Sequence, residues 1–312
     1  MARSIQELPP IGPAAVTLGV FDGVHLGHRR IVAATTEVAR QLDAASVVLA
    51  FDPHPEEVLV SGRRVPRLLP PEVTLARLRE AGADHALHVR FDDDLRSLGP
   101  EEFLAALEPA MKVRAITMTP SSAFGKGRSG TLERVAAIGR ERGFACVPVE
   151  PVTVDGEVVS SSRVRALVAA GDIEAASRLL AGWPVLRGRV VHGDQRGREL
   201  GFPTANLAFD YVPQLPALGI YLGRVSVPER GVGPGHPALV SVGVRPTFHD
   251  DGRVLVEVYL LDWEGDLYDT ELSVEVQPRL REERRFDSVE ALVRQMRADE
   301  EEARHRIGAD GG

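Results

Sequence analysis

The densest cluster of reactive side chains lies in G-V-F-D-G-V-H-L-G-H, residues 19–28, where His25, His28 and Asp22 sit among Gly19, Gly23 and Gly27. An apolar, β-rich run (14–21) leads into it and a helically spaced one (26–42) leads out. Where a strand feeds a helix in this way, free backbone N–H groups at the helix start face an anion, and glycines let the main chain approach it closely. His25 in the turn and His28 in the first helical turn would then donate to phosphate oxygens as charge builds during transfer. Such a reaction needs positioning and electrostatics more than covalent help. Two surface histidines at an ordinary helix start are the plainer alternative.

Further segments carry related chemistry. S-S-S-R-V-R (160–165) opens a helix with hydroxyls and two arginines. Its serines and Arg165 would hold a triphosphate, although an ordinary capped helix reads the same way. F-D-P-H-P (51–55) holds His54 between prolines, suited either to lining a substrate or to a rigid turn. G-D-Q-R-G-R-E-L-G-F-P-T-A-N (193–206) combines Gly193, Gly197 and Gly201 with Arg196 in a basic flap. It matches neither common glycine-rich phosphate-loop pattern. Its end presents Thr204 and Asn206 at period-two spacing, a hydroxyl and an amide oxygen suited to Mg2+ carrying phosphates. Glu257 alternates with Val256 and Val258 and so faces the other side of its strand; alone it reads as solvent-exposed, or as a general base. His85 and His88 point to opposite strand faces and make a poor metal pair, and Asp92–Asp94 reads as a solvated loop.

The elements that must position these residues change rhythm midway. Strand-like runs at 14–21, 45–51, 85–91, 113–118 and 143–149 alternate with helix-like runs at 26–42, 68–82 and 100–107, which predicts a parallel, doubly wound α/β sheet. A helix pair over 160–171 and 172–180 closes this half before Gly182–Trp183–Pro184. Strand-like runs at 186–193, 219–227, 238–244, 255–263 and 271–277 then follow without helices, which predicts a small antiparallel β-barrel. A C-terminal helix starts at Asp287 as cap, with Val289, Leu292, Val293 and Met296 as its apolar stripe. The stretch 194–218 reads as a long loop. The expected domains are 1–183 and 184–312.

Bulk properties narrow the classes. The 312 residues suffice for two cores, and 44% apolar with 26% charged residues is ordinary for a globular protein. A net charge of -8 argues against a general nucleic-acid partner. Cys146 is the one cysteine, which excludes a disulfide framework and a cysteine-rich zinc site. The first residues lack the apolar core of a signal peptide and no long apolar run follows, so a cytoplasmic protein with small-molecule partners and no membrane partner is expected.

Together these motifs resemble the bacterial bifunctional riboflavin kinase/FAD synthetase family, from about residue 14 to 305. Residues 19–28 look like its adenylyltransferase signature, and 160–165 like its second phosphate motif. Residues 193–206 look like its kinase signature, and 241–248, 256–262, 266–268 and 280–286 follow in the family's order. The resemblance implies a nucleotidyltransferase domain that joins FMN to AMP from ATP, releasing pyrophosphate. It also implies a kinase barrel that phosphorylates riboflavin with ATP and Mg2+. By position, Glu257 matches the kinase's general base, and Thr204 and Asn206 match its Mg2+–nucleotide ligands. Gly193, Arg196, Gly197 and Gly201 fall in its nucleotide loop, and Arg281 and Phe286 on its flavin side. His25 and His28 match the transferase's phosphate-stabilising pair. Gly19, Phe21, Asp22, Gly27, Ser161, Ser162 and Arg165 fall on its nucleotide side, and His54, Ser121 and Phe124 on its substrate wall.

One stretch departs from the family pattern: T-P-S-S-A (119–123) stands where a glycine, an acidic or amide residue and an aromatic are usual. Losing the stack and the polar contact would weaken flavin binding in the transferase site by roughly 1–2 kcal/mol each. That motivates a second reading, a riboflavin kinase whose transferase half is degenerate. A third, from another class, is a flavin- or nucleotide-binding regulatory module without turnover, which the presence of Thr204, Asn206 and Glu257 opposes.

Overall fold

A computed structural model describes residues 3–193, 197, 200–244 and 254–309, with side chains as far as Arg306. Two compact units emerge, one formed by Met1–Val65 and Pro71–Ser161, the other by Pro66–Pro70 and Ser162–Gly312. The helix pair that the sequence reading grouped with the first domain therefore clusters with the barrel. Its second helix packs on a barrel strand, and its connecting Gly171 lies against the Tyr221 hydroxyl, 3.1 Å from where a Cβ would stand.

The first unit runs β1 (Gly12–Gly19), α1 (Leu26–Gln41), β2 (Ala45–Asp52), α2 (Pro55–Leu59), α3 (Pro71–Glu80), β3 (His85–Arg90), α4 (Asp93–Ser97), α5 (Pro100–Leu107), β4 (Met111–Met118), α6 (Leu132–Arg142) and β5 (Ala145–Pro148). A short hairpin of β6 (Thr153–Val154) and β7 (Glu157–Val158) completes it. The five longer strands form a parallel sheet in the order β3-β2-β1-β4-β5. Valines, leucines and alanines suit strands covered on both faces. One face packs Val16, Leu49 and Ile116 with Phe103, Leu107, Val135 and Ile138. On the other, Ala15, Ala39 and Ala115 are small enough for α1 to lie close to the sheet. Thr35 and Thr117 hydroxyls, 2.6 Å apart, tie α1 to β4 in this buried layer. The strand order reverses between β1 and β4, so the crevice at their carboxyl ends is the place where doubly wound sheets take ligands.

Two local expectations change here. The helix expected over 68–82 begins at Pro71, because the preceding residues pair elsewhere: the Arg67 N–H donates to the Val212 carbonyl at 2.8 Å. Asp92–Asp94 is not a solvated loop. Asp92 Oδ1 accepts from the Leu95 N–H at 2.9 Å and caps α4.

In the second unit, α7 (Ser161–Ala170, its first residue still in the first unit) and α8 (Ile173–Leu180) precede β8 (Val185–Val191), β9 (Ala205–Ala208), β10 (Gly219–Val227), β11 (Val232–Val244), β12 (Val254–Leu260), β13 (Glu271–Glu282) and α9 (Val289–Ala309). The six strands close a barrel in the order β10-β11-β12-β9-β8-β13, all antiparallel. Val240, Val242, Val256, Val258, Ala205 and Leu207 fill its interior. The long loop expected over 194–218 thus contains a strand, β9, whose two inward residues, Ala205 and Leu207, are too few to signal it. Ser288, not Asp287, caps α9: its Oγ accepts from the Ala291 N–H at 3.2 Å. Val289 lies outside the seat of that helix at 56% exposure, whereas Asp299 and Ala303 are buried.

Candidate active sites

In the first unit, the loop after β1 is shaped by backbone and packing together. Gly23 (φ 86°) and Val24 (φ 43°) both adopt left-handed conformations. For a β-branched residue this costs on the order of 1–3 kcal/mol, and complete burial of Val24 holds it there. The turn delivers His25 as the N-cap of α1, where its Nδ1 accepts from the His28 N–H at 3.3 Å. The two imidazoles stack with centroids 3.7 Å apart, and Phe21 tilts against His28 at 5.1 Å. His25, Asp22 and Phe21 are buried, and Ser161, first residue of α7, donates from Oγ to the Asp22 carbonyl at 2.9 Å. Gly27 has no room for a side chain without contact: a Cβ there would stand 3.2 Å from the His25 ring and 3.4 Å from the Val159 carbonyl oxygen. Gly19 ends β1 beside this loop.

Burial pushes the His28 imidazole well below its usual range, and neighbouring His25 reinforces the shift, while the Val20 backbone opposes it. His28 is therefore neutral near pH 7, and among the described residues its buried Nδ1 has no hydrogen-bond partner. An anion arriving at this helix start would favour the charged ring and raise its pKa. The arrangement suits phosphate chemistry.

The rest of the expected wall divides. Residues 119–123 follow β4 at the same switch point, and the Thr119 hydroxyl lies 2.6 Å from Ser122 Oγ and 3.3 Å from Ser121 Oγ. Arg128 Nη2 donates to the Ser121 carbonyl at 3.3 Å. Phe124, expected on the substrate wall, is instead packed into the core against Phe103 at 5.1 Å, pinned by paired backbone bonds with Gly130. His54 caps α2 with Nδ1, which accepts from the Glu56 N–H at 3.2 Å. Ser162 and Arg165 lie on α7, where Arg165 Nη2 donates to Ser162 Oγ at 3.3 Å. A surface cleft of about 590 Å³, lined by Gly99, Glu101, Lys126 and Arg134 among others, contains none of these residues.

The second unit gathers its candidates on the outer face of the barrel. Glu257 pairs in register with Asn206, and the Thr204 hydroxyl donates to Glu257 Oε1 at 3.3 Å. All three are half-buried. Gly193 lies against Asn206 so closely that a Cβ would stand 2.6 Å from its Cγ. Gly197 closes the turn, accepting from the Phe202 N–H at 2.8 Å, and Gly201 (φ 87°) needs the left-handed region. Phe202 packs edge-on to Tyr259, two residues along the strand from Glu257. Arg196 lies outside the described residues, as does Arg245 in the segment 241–248. Among the described residues no group of three His, Cys, Asp or Glu side chains could hold a metal ion.

Arg281, expected on the flavin side, has a guanidinium fully engaged within the protein. Its guanidinium is committed to Asp299 through Nε (2.8 and 3.0 Å) and Nη2 (2.7 Å), and Nη1 donates to the Glu282 carbonyl at 2.9 Å. Phe286 lies beneath it, 5.9 Å from ring centroid to Cζ. The sequence reading missed Asp299, because it stands at the start of an acidic run on a helix and reads as one more solvated charge.

Comparison with known proteins covers both units. The FAD synthetase family model matches residues 10–163, and the riboflavin kinase family model matches residues 182–307. A bifunctional riboflavin kinase/FMN adenylyltransferase of Pseudomonas fluorescens is 37% identical over 310 residues, 97% of this chain and 96% of the relative. Those of Listeria monocytogenes and Escherichia coli are 34% and 33% identical, over 93% and 98% of this chain and 91% and 96% of theirs. A crystal structure described as a macrolide-efflux protein from Streptococcus pneumoniae superposes with a TM-score of 0.85 at 30% identity, over 96% of this chain and 97% of that one. Among the described residues of this chain no helix is long and apolar enough to cross a membrane. The chain belongs to the bifunctional riboflavin kinase/FMN adenylyltransferase family.

Proposed function

We propose that this chain phosphorylates riboflavin to FMN in its barrel and adenylylates FMN to FAD in its α/β unit, using ATP in both. The observation that carries this reading is the Thr204–Glu257–Asn206 cluster, a carboxylate held beside two neutral oxygen donors on one barrel face. In the kinase step the Glu257 carboxylate takes the proton of the ribityl 5′-hydroxyl as that oxygen attacks the γ-phosphorus of ATP. The bond to the β-phosphate breaks and ADP leaves. The hydroxyl, amide and carboxylate oxygens of this cluster fit Mg2+, a hard cation. Thr204 and Asn206 would hold it, and bound Mg2+ would neutralise charge on the phosphates. Gly193 keeps space open for the Asn206 amide.

In the transferase step an oxygen of the FMN phosphate attacks the α-phosphorus of ATP, and pyrophosphate leaves with the electrons of the broken P–O bond. The His28 backbone N–H holds the His25 ring through Nδ1 and the two imidazoles stack, so both rings are fixed at the helix start where the ATP phosphates would lie. Preorganised donors of this kind contribute through electrostatics at the moment charge moves. The hydroxyls of Thr119, Ser121 and Ser122 supply polar contacts at the acceptor side, where the family usually offers an aromatic. Two ATP-dependent steps on vitamin-derived substrates support a cytoplasmic location. Incubating the protein with riboflavin, ATP and Mg2+ and separating flavins by chromatography tests the reading. FMN followed by FAD is expected; FMN without FAD would refute the transferase half.

A further inference from the structure

The cross-strand register of the barrel aligns residues that lie far apart in sequence. Arg281 pairs with Ile220, Ile220 with Ser241, Ser241 with Glu257, and Glu257 with Asn206. Directly paired residues share a face of the sheet, and all five are half-buried, as expected of the outer face beneath other elements. Arg281 and Glu257 are thus three strand spacings apart in one row, about 14 Å along the surface.

Riboflavin has a matching layout. Its five-carbon ribityl chain separates the reacting hydroxyl from a flat tricyclic ring, so an acceptor with its hydroxyl at Glu257 must find a ring platform further along the same face. Phe286 is an aromatic at that end, but it lies in the stretch between β13 and α9, and its place depends on what holds that stretch. Arg281 reaches over its ring, and Arg281 is in turn held by Asp299 of α9, a carboxylate only 6% exposed that also accepts from Gln295 Nε2 at 2.9 Å. A planar guanidinium locked on both edges has one orientation.

We propose that Asp299 is a positioning residue for the flavin ring in the kinase: by clamping Arg281 against Phe286, it sets the ring platform at the far end of the row from Glu257. This rests on the kinase reading of the barrel. Asp299 touches neither substrate nor the reacting atoms, and its effect passes through Arg281.

The test is steady-state kinetics of FMN formation by the full chain carrying Asp299→Asn, with the double variant Asp299→Leu/Arg281→Met beside it. The double variant replaces a buried ion pair by apolar groups of similar volume, which keeps α9 docked. In both, KM for riboflavin should rise about tenfold while kcat and KM for ATP stay within about twofold, because orientation of one substrate's ring is lost and phosphoryl transfer is not. Asp299→Glu should recover part of the riboflavin KM. A riboflavin KM unchanged in both variants, or riboflavin and ATP KM values rising together with a lowered Tm, would overturn the proposal. Glu257→Gln is measured in parallel: if it abolishes FMN formation while the Asp299 variants behave as wild type, only the positioning role is refuted. Full FMN formation by Glu257→Gln would refute Glu257 as the reacting end of the row, and no FMN formation by the parent chain would refute the kinase reading and the positioning role with it.

Discussion

Replacing Gly27 by alanine separates catalysis from stability at the transferase site. Gly27 is the second residue of α1, where alanine is favoured over glycine by up to about 1 kcal/mol. Its Cβ, however, would stand 3.2 Å from both Cε1 and Nδ1 of His25, with the Val159 carbonyl oxygen at 3.4 Å limiting any retreat. Relief of that contact requires the His25 ring to move by a few tenths of an ångström. The same ring accepts the His28 N–H through Nδ1 and stacks on His28 at 3.7 Å, so both imidazoles are displaced together. Misplacement by 1 Å can cost on the order of 100-fold in rate, so a shift of about half that size implies roughly tenfold. The crowding cost and the helix gain are each about 1 kcal/mol and opposed, leaving Tm within a few degrees of the parent. FMN and ATP are incubated with the variant and FAD is followed by chromatography, beside riboflavin phosphorylation as an internal control. Adenylylation should fall about tenfold with kinase activity retained. Adenylylation within about twofold of the parent would refute the claim that the His25–His28 geometry governs the step.

Gly193→Ala tests the second site by the same logic. A Cβ 2.6 Å from Asn206 Cγ cannot be accommodated without moving that side chain or the loop. FMN formation should drop about 100-fold while FMN-to-FAD conversion persists, read by the same chromatography. His28 makes a pH prediction. Its folded pKa is depressed by burial, so the unfolded chain, with a value near 6.5, takes up the proton first. Stability is full above about pH 6.5 and declines as pH falls towards the folded pKa. His28→Asn should flatten the fall in Tm between about pH 7 and pH 5.5, and an unchanged slope would show that His28 is not the group responsible.

Much of this organisation was legible because local chemistry coincides with element boundaries. Glycines and histidines at 19–28 mark a strand-to-helix turn, and the turn is itself the site. Strand alternation likewise located Val256 and Val258 inside the barrel and Glu257 outside it. What escaped depends on partners distant in sequence. Asp299 acquires its meaning only from Arg281, 18 residues earlier on another element. Phe124, in a glycine-rich loop, falls by resemblance on the substrate wall, yet Phe103 and the bridge to Gly130 draw it into the core. β9 has only four residues and closes the barrel through pairing with β8 and β12, which no local pattern encodes. The helix pair α7 and α8 follows the first unit in sequence but is claimed by contacts with Tyr221 and β13.

If two chemically distinct phosphate-transfer sites reside in separate units of one chain, Glu257→Gln and His28→Ala must separate the two half-reactions, each measured in both variants. Glu257→Gln should lose FMN formation by about 100-fold or more, as expected for removal of a general base, and still convert supplied FMN to FAD. His28→Ala should make FMN from riboflavin at the parent's rate and accumulate it with little FAD. Loss of both half-reactions in either variant would contradict the assignment of one reaction to each unit.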